Sequence, residues 1–200
     1  MLRRILIATA VVGAWSAIAF ADVSSNPQSA PKGNYEQNPD HTVVGFCLSH
    51  MEISTYCGRF DKTTAKLSFN GSQPDKSTVT ATIDLSSVDV PSHELTDKLR
   101  KELFKNGPTA TFTSTAVTIG AKNEGSVTGN LTINGTTKPV TLKVKFNGGK
   151  PFPFGDKYVL GFTAGGSFKR SDFGLTDMLG TQFAGDDVTL SIDIEFLQLK

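Results

Sequence analysis

The sequence contains few of the residues that build metal and redox centres. Two cysteines, three histidines and one tryptophan occur among its 200 residues. No HExxH zinc motif, GxSxG nucleophile elbow, P-loop or GxGxxG turn is present. No recognised motif therefore supplies an activated nucleophile, a set of metal ligands or a phosphate site. We expect a protein that is not an enzyme and that holds no metal and no cofactor.

The chain also has no large excess of charge of one sign. Lysine and arginine together number 20, and aspartate and glutamate number 19. Two of the arginines, Arg3 and Arg4, lie in a segment that we expect to be removed, which leaves 18 basic against 19 acidic residues. Nucleic acids are bound by clustered basic residues, whereas here both signs alternate along most segments. We therefore expect no nucleic-acid partner.

The N-terminus has the features of an export signal. Arg3 and Arg4 precede an apolar run from Ile5 to Phe20, and Ala19-Phe20-Ala21 fits the small-x-small pattern that signal peptidase reads. The run is shorter than the roughly 20 apolar residues that comfortably span a bilayer. We predict a signal peptide over residues 1–21 that is cleaved on export, so the mature chain is not an integral membrane protein.

The mature chain begins with a polar segment. Residues 22–35 contain proline, glycine and few apolar side chains, a composition typical of chain without a packed core. We predict a flexible leader over residues 22–35. The remaining residues, 36–200, are long enough to form one domain with a substantial core.

The two cysteines, Cys47 and Cys57, flank His50 in one short stretch. Outside the cytoplasm two cysteines more often form a disulfide than a metal site, and strand alternation puts both on the same side of neighbouring antiparallel strands. Free thiols and a metal site that includes His50 are the alternatives, although CxxC and HxxxH spacings are absent. We predict a disulfide that stabilises the fold by about 3 kcal/mol or less, because the loop it closes is short.

Apolar and polar residues alternate with a period of two along most of the mature chain. The runs from Val79 to Leu85, from Val140 to Phe146 and from Val188 to Phe196 each have one apolar and one polar face. This alternation is typical of an antiparallel sheet that covers a core on one side. The pattern predicts a mainly β protein.

Turn residues separate these runs. Asn70-Gly71, Asn134-Gly135 and Asn147-Gly148-Gly149 can adopt the positive φ angles that tight hairpins require. Glycines also fall within the strand runs, where they mark bends that let a sheet curl and close. We therefore predict an antiparallel up-and-down, lipocalin-like β-barrel of about eight strands.

One segment, residues 92–104, has helical spacing instead. Leu95, Leu99 and Leu103 recur on one face, and Ser92 is a good residue to cap the first turn. We predict one short helix that packs this leucine face against the barrel.

Phenylalanine is abundant, with 14 in the chain and 13 of them beyond residue 21. An eight-stranded barrel is just wide enough to be filled by side chains or to hold one small ligand. Small inward residues, Ala81, Gly129 and Gly161 or Ala164, would leave room for a hydrocarbon chain, which gains about 0.8 kcal/mol per buried CH₂. The residues that we predict to line this lumen are Phe46, Leu48, His50, Phe60, Phe69, Ile83, Leu99, Phe104, Phe112, Leu131, Ile133, Leu142, Phe162, Phe168 and Phe173.

Several motifs in order resemble the YceI-like family of polyisoprenoid-binding proteins. They are Asp40 to Phe46 with His50-Met51, Gly58-Arg59-Phe60, Leu95 to Phe104 with Pro108 to Phe112, Gly129 to Gly135 with Lys138-Pro139-Val140, and Lys169 to Leu175. The resemblance implies a lipocalin-like barrel over residues 36–200, exported to the periplasm. It also implies that the lumen holds an isoprenoid quinone or other long-chain amphiphile without catalysis.

Two questions stay open at the level of sequence. The competing hypothesis is a periplasmic stress-related interaction protein with a filled core, which recruits partners through loops such as residues 148–156. The edge strands and loops are compatible with a homodimer and equally with a monomer.

Overall fold

The structure is a computed structural model that describes residues 21–105, 107–153, 155–176, 178 and 180–200. The predicted signal peptide lies outside the described residues except for Ala21. Within the described residues the chain forms ten strands, which are β1 (Gly33–His50), β2 (Ser54–Phe60), β3 (Thr63–Phe69), β4 (Thr78–Asp84), β5 (Val88–Asp89), β6 (Thr109–Ile119), β7 (Glu124–Ile133), β8 (Thr136–Pro151), β9 (Tyr158–Lys169) and β10 (Asp187–Gln198).

These strands form one antiparallel sheet that closes on itself. The order is β10-β9-β8-β7-β6-β4-β3-β1-β2-β5, and β10 also pairs with β1, which joins the first strand to the last. The closed ring within the described residues contains eight strands, and β2 and β5 extend the sheet beside β1. The predicted eight-stranded antiparallel barrel is therefore confirmed.

Strand β1 is long enough to pair with two successive strands. Its start pairs with β3, from Gly33 opposite Phe69 to Glu36 opposite Lys66, and its second half pairs with β2. Together β2 and β3 run antiparallel to β1 like one strand that is broken in the middle. This arrangement keeps the up-and-down order of the barrel.

The predicted helix is confirmed over the expected segment. Helix α1 spans His93–Lys98, and Ser92 caps it by accepting a hydrogen bond from the backbone N–H of Leu95. A π-helical turn, Leu99–Leu103, continues it. The wider turn keeps Leu95, Leu99 and Leu103 facing the barrel, where all three line its interior.

The three predicted glycine turns have different outcomes. Asn134 and Gly135, with φ angles of 51° and 76°, form the two-residue turn between β7 and β8 as predicted. The Asn70-Gly71 prediction is wrong, because a longer loop with a 3₁₀ turn at Pro74–Lys76 joins β3 to β4.

The prediction of a turn at residues 147–149 is also wrong. These residues form a bulge inside β8, where the register against β9 shifts between Phe146 and Gly148. A Cβ at Gly148 would lie 2.4 Å from the Val23 side chain. Glycine is therefore required here by the close approach of another segment of the chain.

That approaching segment is the predicted leader, residues 22–35. Ser24 exchanges two backbone hydrogen bonds of 2.9 Å with Gly149, and Asn123 donates a side-chain hydrogen bond to the Ser25 carbonyl. Strand β1 begins at Gly33 and Tyr35 is fully buried. The barrel therefore starts three residues earlier than residue 36, because Tyr35 supplies an aromatic side chain to the core.

Two hydrophobic cores occupy the two ends of the barrel. The end that contains Tyr35, which we call the closed end, has a core of Ala30, Tyr35, Ala65, Leu67, Phe69, Phe146, Leu160 and Phe196. The other end, which we call the helix end, has a core of Leu85, Val88, Val90, Phe104, Ala110, Phe112, Leu131, Ile133, Val140, Phe173 and Leu175, with α1 packed against it.

Candidate functional site

A cavity of about 470 Å³ lies inside the barrel between the two cores. Its lining is almost entirely aliphatic and aromatic. The lining residues with polar side chains among the described residues are Gln37, His50, Tyr56, Thr63, Thr64, Ser92 and Arg170. Ligand pockets commonly have volumes of roughly 300–1,000 Å³, apolar walls and a few polar groups. The lumen has these properties.

The strand alternation places the lining, with one change of face in β1. Val44, Phe46 and Leu48 line the cavity from even positions, whereas Gln37 lines it from an odd position. The change occurs at residues 38–41, where β1 carries extra residues against β10 between the Gln37 and Thr42 pairings. Such a bulge shifts the alternation of a strand by the number of residues it adds.

Most of the predicted lumen residues lie where they were expected. The cavity is lined by Phe46, Leu48, His50, Phe60, Ile83, Leu99, Phe104, Phe112, Leu131, Ile133, Leu142, Phe162 and Phe168. They converge from β1, β2, β4, β6, β7, β8, β9 and the helical segment onto one space. Whether they contact a ligand stays a prediction.

Two predicted lumen residues do not line this cavity. Phe69 packs at the closed end against Phe146, with ring centroids 6.1 Å apart, and borders a separate cavity of about 160 Å³. Phe173 is 1% exposed and packs edge-on against Phe168 at 5.3 Å. Both rings are buried and pack against other rings outside the main cavity.

The small inward residues were only partly predicted correctly. Ala81 and Ala164 line the cavity, but Gly161 does not, because its neighbour Phe162 takes the inward position. A Cβ at Gly129 would lie 2.4 Å from the Phe112 ring. Gly129 therefore makes room for a side chain of the protein and not for a ligand.

The cavity reaches the surface at the helix end. His50 and Ser92 both line it and are both exposed. Tyr56 connects the two elements here, since its hydroxyl accepts a hydrogen bond of 3.2 Å from the Ser92 backbone N–H. Three exposed apolar side chains lie on nearby turns, namely Met51, Ile53 and Phe183.

Arg170 is a buried cation in the lining that the sequence analysis did not predict as a lumen residue. Its guanidinium donates hydrogen bonds to the backbone carbonyls of Leu175, Ala184 and Gly185. Burial is the main influence on its pKa and lowers it, while the charge of Asp186 acts in the opposite direction. Its main role is to hold the loop between β9 and β10 against the barrel.

The predicted disulfide between Cys47 and Cys57 is confirmed. The two residues are directly opposite each other in the β1–β2 pairing, with Cα atoms 4.1 Å apart. The bond lies on the outer face, because Phe46 and Leu48 on either side of Cys47 point into the lumen. No three His, Cys, Asp or Glu side chains converge as metal ligands within the described ranges.

The sequence reasoning missed several lining residues. Leu190, Ile192 and Ile194 of β10 belong to an alternation that it recognised, so their position could have been predicted. The inward position of Gln37 and Thr63 could not have been predicted, because it depends on the bulge in β1 and on the break between β2 and β3.

A closed antiparallel barrel with an apolar lumen that reaches the surface is the architecture of lipocalin-like binding proteins. Comparison with known proteins narrows this class. Residues 35–196 match the model of the YceI-like domain, and the chain belongs to the YceI-like family. None of the described helices has the length and apolarity that crossing a membrane would require.

Similar sequences and structures agree with this family. The chain is 38% identical over 189 residues to Protein YceI of Salmonella agona (strain SL483), covering 90% of this chain and 95% of that protein. The YceI protein of Campylobacter jejuni is similar in structure, with a TM-score of 0.68 and 27% identity over 76% of this chain and 90% of that chain. A polyisoprenoid binding domain from Saccharophagus degradans shares the fold, with a TM-score of 0.61 and 15% identity. The match covers 84% of this chain and 100% of that domain.

Proposed function

We propose that this protein binds a polyisoprenoid or another long-chain amphiphile in its lumen and acts as a carrier or reservoir in the periplasm, without catalysis. The single observation that supports this most is the cavity of about 470 Å³ with apolar walls. An empty apolar space forgoes the contacts that its lining atoms would otherwise make. A hydrocarbon tail supplies those contacts and is itself removed from water.

The family and its neighbours support the same proposal. The domain from Saccharophagus degradans is described as polyisoprenoid-binding. Because it shares only the fold with this chain, the proposal of a lipid ligand rests mainly on the apolar cavity. Export fits the N-terminal signal pattern and a disulfide, which persists in oxidising compartments. A cavity of this size supports lipid binding over the competing hypothesis of an interaction protein, which assumed a filled core.

The first experiment identifies the native ligand. The exported protein is purified from its own host without detergent and examined by native mass spectrometry, followed by organic extraction. We expect a bound prenyl lipid or long-chain amphiphile. Protein that is reproducibly empty, and that also fails to take up prenyl lipids in solution, would contradict the proposed function.

A cavity-filling variant tests the location of the ligand. Ala164 lines the cavity from β9, so Ala164→Phe places a ring in the lumen. Ser167→Phe adds the same ring at an exposed position of the same strand and is the matched control. We expect Ala164→Phe to weaken lipid binding by about tenfold or more, which corresponds to about 1.4 kcal/mol, and Ser167→Phe to bind normally.

A further inference from the structure

The barrel wall contains a gap between β1 and the broken strand opposite it. Pairing with β3 ends at Glu36 opposite Lys66, and pairing with β2 begins at Val44 opposite Phe60. Between these pairs, residues 37–43 and 61–65 form no ladder with each other. We call this unpaired stretch the seam.

The backbone on the β2–β3 side of the seam is bonded elsewhere. The backbone N–H of Asp61 donates to the Ser87 carbonyl at 3.2 Å, and the N–H of Lys62 donates to the Ser87 hydroxyl at 2.9 Å. The Lys62 carbonyl accepts from the N–H of Asp84 at 2.9 Å. These bonds direct the chain away from β1.

The β1 side is held away by its bulge. Asn38 is buried and its side-chain amide donates to Glu195 at 3.2 Å and contacts His41 Nδ1 at 3.0 Å. The Thr42 hydroxyl donates to the Asn38 carbonyl at 2.8 Å. Both sides of the seam are therefore fixed by specific hydrogen bonds, and the gap is a built feature of the wall.

The cavity extends into the seam. Its lining includes residues on both sides, namely Gln37, Val44, Phe60, Thr63, Thr64 and Ala65. Thr63 and Thr64 are consecutive strand residues and so point to opposite faces of the sheet. Thr64 is exposed, so the cavity lining includes a residue at the outer surface of the wall here.

The seam presents hydrogen-bonding groups to this space. Gln37 Nε2 donates to the Thr63 hydroxyl at 2.9 Å. Among the described residues, Gln37 Oε1 then has no donor and the Thr63 hydroxyl hydrogen has no acceptor. One acceptor and one donor are thus available. No buried side-chain nitrogen or oxygen of the described residues lacks a partner, so Gln37 Oε1 is accessible to solvent or to a ligand.

The charge of these groups indicates the kind of partner. Gln37 and Thr63 are both neutral, and Lys62 beside them is exposed. Arg170 is the one lysine or arginine among the described lining residues, and its guanidinium donates to the carbonyls of Leu175, Ala184 and Gly185 at the helix end. An anionic headgroup bound by Gln37 and Thr63 would exchange hydration for neutral hydrogen-bonding partners, whereas an uncharged headgroup needs no cation.

We propose that the seam is a binding subsite for an uncharged, hydrogen-bonding lipid headgroup, an alcohol or a carbonyl, whose tail occupies the lumen. The Thr63 hydroxyl donates to the headgroup oxygen, and Gln37 Oε1 accepts from a headgroup hydroxyl when there is one. This inference rests on the proposed function, since it assigns the polar end of the same ligand.

The test compares three probes with one tail, which are geranylgeraniol, its monophosphate and the corresponding hydrocarbon. Each probe displaces a fluorescent apolar dye from the mature protein. Thr63→Val removes the hydroxyl at nearly constant volume, and Gln37→Leu removes the amide. Thr82→Val makes the same threonine-to-valine change at an exposed position on β4 and is the matched control.

We expect the wild-type protein to bind the alcohol about twofold to tenfold more tightly than the hydrocarbon, the range that one hydrogen bond provides, and more tightly than the monophosphate. Thr63→Val and Gln37→Leu should each reduce this preference, because the alcohol loses a hydrogen bond that the hydrocarbon never makes. Thr82→Val should change nothing. Thermal unfolding checks that each variant is folded, and if Gln37→Leu is not, Thr63→Val still tests the subsite.

The outcomes separate this inference from the function on which it rests. If the hydrocarbon binds but neither variant changes the preference for the alcohol, the seam is not the subsite and the lumen still binds lipid. Tighter binding of the monophosphate would overturn the assignment of an uncharged headgroup. If none of the three probes displaces the dye, the proposed function itself fails.

Discussion

The closed end and the middle of the barrel follow the same alternation but are packed differently. At the closed end the inward residues include Tyr35, Phe69, Phe146 and Phe196, and neighbouring rings there lie with centroids 5.3–6.4 Å apart. In the middle, which we call the waist, the inward residues are smaller and line the cavity, and they include Ala81, Leu142, Val144, Ala164 and Ile192.

The difference shows how one sheet can be both a solid core and a container. Eight strands enclose a width that large rings fill and that aliphatic side chains do not. The rings at the closed end pack against one another, and the cavity that Phe69 and Phe146 border is only about 160 Å³. The waist side chains border the cavity of about 470 Å³. Stability should therefore be concentrated at the ends of the barrel, and ligand capacity at the waist.

A pair of truncations in β8 tests this directly and should have the largest effect. Phe146→Ala removes a buried ring from the closed end and should lower the free energy of unfolding by about 3–5 kcal/mol. Leu142→Ala removes a smaller, only partly buried side chain that borders the large cavity, and should cost only about 1–2 kcal/mol because fewer contacts are lost. Chemical denaturation measures both, and equal losses would contradict the comparison.

The disulfide is expected to have the next largest effect. It joins β1 to β2 towards the helix end, whereas the closed end has no disulfide among the described residues. Replacing both Cys47 and Cys57 by serine should lower the free energy of unfolding by about 3 kcal/mol or less, because the loop is short. Lipid binding by the folded variant should persist, since the bond lies outside the lumen.

Alkaline pH should weaken the closed end in particular. Burial, with a smaller contribution from Tyr158, raises the pKa of Tyr35 from 10.0 to about 12. Folding therefore favours the protonated phenol, and this contribution is complete below pH 10 and is lost as the pH rises through about 12. Tyr35→Phe removes the 2.6 Å hydrogen bond to the Pro31 carbonyl and should cost about 1 kcal/mol at neutral pH.

The control is to compare how the free energy of unfolding changes with pH in Tyr35→Phe and in the wild-type protein. Tyr35→Phe should lose less stability than the wild-type protein between pH 10 and pH 12, because it has no phenol to ionise at this position. Denaturation midpoints measured across this range decide the matter. Parallel curves for the two proteins would show that Tyr35 does not set the alkaline limit.

Acid should have a smaller effect, located at the helix end. The carboxylate of Asp186 accepts hydrogen bonds from the backbone N–H and hydroxyl of Ser171, and these bonds lower its pKa below the ordinary value of 3.8. The stability that they contribute is complete above that value and is lost as the pH falls through the lower, folded-state pKa. Asp186→Asn should slightly destabilise the protein at neutral pH and reduce its acid sensitivity, as measured by thermal unfolding.

Local features of the sequence were enough to predict much of this molecule. Period-two alternation predicted the strands and the inward positions, because side chains of a strand point to opposite faces regardless of what the strand pairs with. Ser92 and the leucine spacing predicted the helix, and the positions of Cys47 and Cys57 within the alternation predicted their pairing.

Only the tertiary structure decided which inward residues fill the barrel and which leave it open. Alternation gives the face of a residue but not its height along the barrel, so Phe69 and Phe162 looked alike although only Phe162 reaches the main cavity. The bulge in β1 and the seam opposite Gln37 arise from hydrogen bonds between residues far apart in the chain, such as Lys62 to Ser87 and Asn38 to Glu195. Such long-range partners leave no local pattern, and they determine the register, the position of the seam and the volume inside.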